Sequence, residues 1–209
     1  MKKKLIIFDM DGTLINSGDV IANTINFVRE NIGFPLMEKD VLLSQLNNPD
    51  INAANYFYGT SEFTDEQTKL FGEYYDKNCI TDIALYDGIE DMLKQISKYF
   101  TLAIATNASV EFATKMVEYL NIDHYFNMIV GSNSVKNPKP HPDMLIKIMD
   151  ELQFLSDDSI LIGDSLKDKN AALKANIDCI LVEWGFTTFK NEKPITNTKT
   201  LVSEVLKFK

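Results

Sequence analysis

The sequence predicts an α/β protein, in which a doubly wound, Rossmann-like parallel sheet carries an inserted all-helical domain. Five short apolar runs have the character of buried strands, and helical patterns separate them along most of the chain. Strands that alternate with helices favour right-handed crossovers, which pair the strands in parallel. Such a sheet is covered on both faces, so its strands are apolar at nearly every position. The predicted strands are Lys4–Phe8, Leu102–Ala105, Met128–Val130, Ile160–Ile162 and Cys179–Val182.

The helices of this predicted fold follow from apolar residues that recur three and four positions apart. This spacing places the apolar side chains on one helix face, which then packs against the sheet. The patterns that predict these helices run over Ile89–Ile96, Ala113–Leu120, Met144–Leu152, Ala171–Ala175 and Leu201–Leu206.

Residues 15–83 interrupt the alternation, because they contain helical patterns and no convincing buried strand. Within them, Thr64 and Gln67 have the spacing of a capping box at the start of a helix. The four helical patterns of this segment include Ile21–Val28, Leu42–Leu46, Ala53–Phe57 and Leu70–Tyr75.

The length of this helical segment predicts a separate domain, since it is too long for one crossover connection. We therefore predict a helical cap domain at residues 15–83 and an α/β core formed by residues 1–14 and 84–209. Short hinges are expected near residues 15–18 and 82–87.

Composition and charge exclude several classes of protein. The chain of 209 residues is 45% apolar and 24% charged, which is the balance of an ordinary globular protein. Its formal net charge of −9 disfavours general nucleic-acid binding, because that binding depends on neutralising phosphates. No apolar run approaches the roughly 20 residues of a membrane-spanning helix.

The N-terminus and the cysteines indicate a cytoplasmic protein. The basic start, Met1–Lys4, is followed by an apolar run that ends at Phe8, which is too short for a secretory signal. Cys79 and Cys179 form neither a CxxC motif nor a metal-ligand spacing, so we expect two reduced thiols.

Polar and charged residues follow four of the predicted strands. In an open parallel sheet, ligands bind outside the carboxyl ends of the strands. Carboxylates that converge there repel one another unless a cation lies among them, and an all-oxygen ligand set favours Mg²⁺. The groups that follow the strands are Asp9–Thr13, Thr106 and Asn107, Lys139 and Pro140, and Gly163–Asp168.

These residue types suit phosphoryl transfer. A lysine beside a metal ion can hold a phosphoryl group, whose transfer depends on positioning and charge neutralisation. An aspartate with an unperturbed pKa of about 4 is already an ionised nucleophile at neutral pH, and a second carboxyl group can carry the proton. The pair Thr106 and Asn107 also has the residue types of a helix cap, and a helix N-terminus is itself an anion site.

Four motifs in this order resemble those of the haloacid dehalogenase-like superfamily. They are FDMDGTL at Phe8–Leu14, the pair Thr106 and Asn107, the pair Lys139 and Pro140, and GDSLKD at Gly163–Asp168. The resemblance covers essentially the whole chain, and the helical insertion after the first motif resembles the cap of the phosphoglycolate phosphatase-like branch. It implies an α/β core, a helical cap and a Mg²⁺-dependent hydrolase.

The resemblance also implies a role for each matching residue. Asp9 matches the nucleophile that is phosphorylated, and Asp11 matches the acid/base that protonates the leaving alcohol and later activates water. Thr106 and Asn107 match the residues that bind phosphate, and Lys139 matches the lysine that holds phosphate and nucleophile together.

For the metal ion, the resemblance implies three ligands and one supporting residue. Asp9, the backbone carbonyl of Asp11, and Asp164 match the Mg²⁺ ligands. Asp168 matches a second acid that either contacts the metal through water or orients the lysine. Asn176 stands where family members often have glycine after a helix, and asparagine tolerates the left-handed backbone expected there.

The expected activity is hydrolysis of a small phosphomonoester through an aspartyl-phosphate intermediate. The substrate class stays open among phosphoglycolate-like, sugar-phosphate-like and nucleotide-like molecules, and the sequence predicts no oligomeric state. A phosphosugar mutase of the β-phosphoglucomutase type is the alternative, because the four motifs are common to both. We expect residues 18–26 and the loop before Asp87 to line the substrate pocket.

Overall fold

A five-stranded parallel sheet forms the centre of the protein, which the computed structural model describes from residue 4 to residue 209. The strands of the chain are β1 (Lys4–Phe8), β2 (Ile15–Asn16), β3 (Ala84–Leu85), β4 (Phe100–Ala105), β5 (Met128–Val130), β6 (Ser159–Gly163) and β7 (Asp178–Leu181). The order across the sheet is β5-β4-β1-β6-β7, and every neighbouring pair is parallel. The predicted doubly wound sheet is therefore confirmed, with each predicted strand within two residues of its expected bounds.

Alternate side chains of β1 are buried on opposite faces of the sheet. Leu5 and Ile7 pack on one face, Ile6 and Phe8 pack on the other, and all four are fully buried. Successive side chains of a strand point to opposite faces, so a central strand covered on both sides is apolar throughout. The helices are α1 (Gly18–Asn31), α2 (Lys39–Leu46), α3 (Ala53–Tyr58), α4 (Asp65–Asn78), α5 (Ile89–Ile96), α6 (Val110–Tyr119), α7 (Asp143–Leu152), α8 (Leu166–Ala175) and α9 (Thr198–Lys207). Residues of α7 and α8 cover the first face, and residues of α5, α6 and α9 cover the second.

Helices α1 to α4 lie in the chain between β2 and β3, which pair with each other as a short antiparallel ribbon. In this ribbon Ile15 lies opposite Leu85, and Asn16 lies opposite Ala84. The sequence analysis missed the ribbon, because strands of two residues carry no periodic pattern. The ribbon lies at both expected hinges, and the division into a core and a cap domain stays a prediction.

Two helix ends have the structure that their residues predict. Thr64 Oγ1 accepts a hydrogen bond from the Gln67 backbone N–H at 3.2 Å, and the Gln67 side chain accepts one from the Thr64 backbone N–H at 3.0 Å. This capping box begins α4. Asn176 follows α8 with φ 56°, in the left-handed region that asparagine tolerates.

Within residues 4–209, no helix is both long and apolar enough to cross a membrane. The basic start, Met1–Lys4, lies outside the described residues except for Lys4. Cys79 is buried, Cys179 is partly buried, and both are free thiols.

Candidate active site

The register of the sheet brings the ends of three strands to the same level at one edge. Phe8, the last residue of β1, pairs with Ile104 of β4 and with Ile162 of β6. The residues that leave this edge are therefore close neighbours in space, as expected at the carboxyl ends of parallel strands. The buried polar residues that follow these strands are Asp9, Thr106 and Asp164.

A buried ion-pair network joins three of the predicted site residues. Lys139 Nζ lies 2.7 Å from Asp9 Oδ1 and 2.6 Å from Asp168 Oδ1. The side chains of Lys139 and Asp168 are only 2% and 0% exposed, and that of Asp9 is 11% exposed. Burial alone would lower the pKa of Lys139, but the carboxylates of Asp168 and Asp9 together raise it above its ordinary value. The lysine is therefore a fixed cation.

Asp168 is held by protein groups at both oxygens. Its Oδ1 accepts from Lys139 Nζ, and its Oδ2 accepts from the backbone N–H and the hydroxyl of Ser165. Ser165 is the N-cap of α8, and its hydroxyl in turn accepts from the Asp168 backbone N–H at 3.2 Å. This capping box fixes the carboxylate that faces Lys139.

Three buried carboxylates crowd one another beside this lysine. Asp9, Asp164 and Asp168 each offer an oxygen, and these oxygens all lie within 4.8 Å of one another. Burial raises the pKa of Asp9 to about 7, with the charge of Asp168 acting in the same direction and Lys139 opposing it. Burial, followed by the charges of Asp9 and Asp168, raises the pKa of Asp164 well above its usual value. A bound cation would offset both effects and keep the carboxylates ionised.

One oxygen of Asp164 is hydrogen-bonded and the other has no partner among the described residues. Its Oδ2 accepts from the Phe186 backbone N–H at 2.9 Å and from Asn47 Nδ2 at 3.2 Å. Its Oδ1 is buried and has no hydrogen-bond partner among residues 4–209. A buried anionic oxygen without a partner is costly, and it is the donor type that Mg²⁺ takes. The residues present therefore fit a hard divalent cation.

Gly12 makes room for this carboxylate. A Cβ at Gly12 would lie 2.3 Å from Asp164 Oδ2, and the Gly12 backbone has φ +83°. Only glycine meets both demands without strain, which accounts for the glycine in the first motif.

The side chain of Asp11 is not among the three clustered carboxylates, and it contacts the start of α1. Its Oδ1 accepts a hydrogen bond from the Ser17 hydroxyl. Ser17 is the N-cap of α1, yet its side chain makes no bond to the helix backbone. Burial raises the pKa of Asp11, and the Ser17 hydroxyl partly opposes the shift. A carboxyl group with a raised pKa is suited to carrying a proton.

Thr106 and Asn107 approach the same region from the end of β4. Asn107 Nδ2 donates to the Lys139 backbone oxygen at 2.9 Å, which ties the second motif to the third. Ser109, rather than either of these residues, is the N-cap of α6, and its hydroxyl accepts from the Phe112 backbone N–H. The side chains of Thr106 and Asn107 are therefore not used as the cap of that helix.

A cavity of about 200 Å³ opens directly onto the ion-pair network. The predicted residues that line it are Asp9, Asp11, Thr106, Asn107 and Lys139. From the expected range 18–26, Ile21 lines this cavity, whereas no residue of the loop before Asp87 does, so that part of the expectation stays a prediction. Asp164 and Asp168 are fully buried and are not among the residues that line the cavity.

The sequence analysis missed most of the opposite wall of the cavity. Tyr75 has the periodicity of a core residue and is indeed 3% exposed, but it also lines the cavity. Asn47, at the end of α2, carries no motif that would single it out. The remaining lining residues are Leu46, Phe71, Ala108, Phe112, Ser165, Lys167 and Phe186.

Comparison with known proteins identifies the family. The model of the haloacid dehalogenase-like hydrolases matches residues 6–182, which is most of the chain. The chain belongs to this family. It is an enzyme of the phosphatase type and resembles the phosphoglycolate phosphatases within the family.

Two phosphoglycolate phosphatases match the chain along most of their length. The chain is 27% identical to the phosphoglycolate phosphatase of Colwellia psychrerythraea over 88% of this chain and 86% of that protein. It is 29% identical to the phosphoglycolate phosphatase of Pasteurella multocida over 88% and 87% of the two chains. The crystal structure of a predicted phosphatase from Clostridium acetobutylicum superposes with a TM-score of 0.88, at 25% identity, over 99% of this chain and 100% of that one.

Proposed function

We propose that this protein is a Mg²⁺-dependent phosphatase that hydrolyses a small phosphomonoester through a phosphorylated Asp9. The observation that carries the proposal is the pairing of buried Lys139 with Asp9 and Asp168, beside an Asp164 oxygen that has no partner among the described residues. When ionised, Asp9, Asp164 and Asp168 carry three negative charges, and Lys139 supplies one positive charge. This excess of negative charge favours a divalent cation.

The metal site would be formed by Asp9, the backbone carbonyl of Asp11, and Asp164, and Asp168 would support it by fixing Lys139. A bound Mg²⁺ would supply charge neutralisation for the phosphoryl oxygens. The side chains Thr106, Asn107 and Lys139 would bind those oxygens as donors.

In the first half-reaction, a carboxylate oxygen of Asp9 forms a bond to phosphorus while the bond from phosphorus to the alcohol oxygen breaks. Asp11 donates its proton to the departing oxygen, so the alcohol leaves neutral. In the second half-reaction, Asp11 accepts a proton from water as the water oxygen bonds to phosphorus. The bond to Asp9 then breaks, which frees phosphate and restores both carboxyl groups.

The insertion at residues 15–83 would act as the cap of this site. Ile21, Leu46, Asn47, Phe71 and Tyr75 reach the cavity from it, so substrates meet the insertion as soon as they bind. Exclusion of bulk water by such a cover favours transfer to one positioned water. The phosphosugar mutase alternative is not favoured by the two relatives described above, whose names are those of phosphoglycolate phosphatases. A cytoplasmic location and the absence of nucleic-acid and membrane partners stay predictions from the sequence.

The test is phosphate release from a panel of phosphomonoesters by wild type, Asp9→Asn and the control Asp19→Asn. Asp19 is exposed in the first turn of α1, pairs with Lys39 and does not line the cavity. We expect release that requires Mg²⁺ and is lost on chelation. Asp9→Asn should lose at least about 10³-fold in kcat, while Asp19→Asn should keep the wild-type rate. Equal rates for wild type and Asp9→Asn would refute the proposal.

A further inference from the structure

We infer that the cavity takes phosphomonoesters of a compact alcohol that carries one flat apolar ring; this inference rests on the proposed function. The cavity of about 200 Å³ is lined by two chemically different groups of residues. One group comprises the carboxylates, the lysine, and the hydroxyl and amide of the phosphate site. The other group is mainly apolar and comprises Ile21, Leu46, Phe71, Tyr75, Phe112 and Phe186.

Three of these side chains form a continuous aromatic series. The rings of Phe71 and Tyr75 are stacked, with centroids 5.4 Å apart and planes 21° apart. The Tyr75 and Phe112 rings meet edge to face, with centroids 5.0 Å apart and planes 73° apart. Phe71 and Tyr75 come from α4 and Phe112 comes from α6, so the series joins the insertion to the core. Such a wall favours a flat ring, which can stack or meet an edge.

The other polar side chains that line the cavity each make at least one hydrogen bond within the protein. Asn47 Nδ2 donates to Asp164 Oδ2, and Lys167 Nζ donates to the Leu46 backbone oxygen at 2.8 Å. The Tyr75 hydroxyl is paired with the sulfur of Met116 at 3.6 Å. The hydroxyls of a polyol or a second carboxylate would lose hydration against the apolar side chains, where the remaining N–H donors of Lys167 could replace only part of it, and this lowers the affinity for such substrates.

The volume of the cavity matches a single ring. An apolar cavity of about 150 Å³ accommodates a benzene ring. A cavity of about 200 Å³ therefore has room for one ring and its phosphoryl group.

The first test compares kcat/KM for benzyl phosphate, glycerol 1-phosphate and 2-phosphoglycolate with Mg²⁺ present. All three release a primary alcohol, so differences report the fit of the leaving group more than its chemistry. We expect benzyl phosphate to be preferred by about 10–100-fold, the range in which pockets discriminate between apolar and hydroxylated groups. Equal or better turnover of either polar ester would overturn the inference and leave the phosphatase proposal intact. Failure of every ester would overturn both.

The second test changes the aromatic series itself. Phe71→Leu and Phe112→Leu keep an apolar side chain but remove the ring, and each should lower kcat/KM for benzyl phosphate by up to about tenfold. Turnover of glycerol 1-phosphate should change far less. Phe63→Leu is the matched control, because Phe63 is 56% exposed and does not line the cavity. If the cavity variants slow both esters equally while they melt at the wild-type temperature, the rings do not select the leaving group and the inference is wrong.

Discussion

Replacing Lys139 with methionine should destabilise the metal-free protein strongly. Methionine keeps most of the apolar stem, so the main loss is the ammonium group that lies 2.7 Å from Asp9 and 2.6 Å from Asp168. Removing one partner of a buried ion pair costs about 3–5 kcal/mol, because the remaining charge stays buried and uncompensated. In a chain of this size, each kcal/mol corresponds to about 2–4 °C, so the melting temperature should fall by about 6–20 °C.

The assay is thermal and urea unfolding of Lys139→Met in the presence of a chelator, with Lys147→Met as the matched control. Lys147 lies at the same 2.6 Å from Glu151, but on the surface, with side chains 38% and 53% exposed. Its replacement should change the free energy of unfolding by no more than about 0.5 kcal/mol. If both variants lose equally little stability, the loss of the ammonium group is no more costly in the buried network than at the surface, and this prediction is wrong.

A double-mutant cycle sharpens this test. Asp168→Asn removes one of the carboxylates that Lys139→Met leaves unpaired. The double variant should therefore be more stable than the sum of the single effects, by about 0.5–3 kcal/mol. Strict additivity would show that the contact between Lys139 and Asp168 carries no coupling, contrary to the ion-pair geometry.

Three further outcomes are expected. Arg29→Lys should lower the free energy of unfolding by about 1–3 kcal/mol in urea titrations. The buried guanidinium binds the backbone carbonyls of Pro35 and Phe57 through two different nitrogens, and one ammonium cannot satisfy both. Unchanged stability would contradict this. Iodoacetamide at neutral pH should alkylate Cys79 and Cys179 far more slowly in the folded chain than in urea, because burial raises the pKa of both thiols. Equal labelling rates in the two conditions, measured by mass spectrometry, would refute this prediction. Mg²⁺ at about 100 times its Kd should stabilise the protein by about 2.7 kcal/mol. The melting temperature should therefore rise with Mg²⁺ and not with Na⁺ at equal ionic strength. An unchanged melting temperature would count against the metal site.

The sheet and the position of the polar residues were predictable because both follow from local patterns. Continuous apolar runs mark parallel strands, and parallel strands bring the residues after them to one edge. Asp9, Thr106 and Asp164 are therefore placed by the same logic that places β1, β4 and β6. Lys139, in a loop after β5, is placed by its motif rather than by periodicity.

The opposite wall of the cavity was not predictable, because it depends on contacts between distant parts of the chain. Asn47 reaches Asp164 across 117 positions of sequence, and nothing near Asn47 signals that contact. Phe71 and Tyr75 have the spacing of ordinary core residues, and their place on a cavity wall depends on how α4 lies against α6. The ribbon of β2 and β3 is too short to leave a pattern at all.

The most direct test of the account is to trap phosphate on the enzyme. Wild type, Asp9→Asn and Asp11→Asn would be mixed with ³²P-labelled para-nitrophenyl phosphate and Mg²⁺, quenched in acid within milliseconds, and assayed for protein-bound label that hydroxylamine releases. The account predicts label on Asp9 in wild type, none in Asp9→Asn, and more in Asp11→Asn. The last variant should accumulate label because nitrophenolate leaves without an acid whereas water still needs the base. Label on another residue, or nitrophenolate release by Asp11→Asn without any bound label, would contradict it.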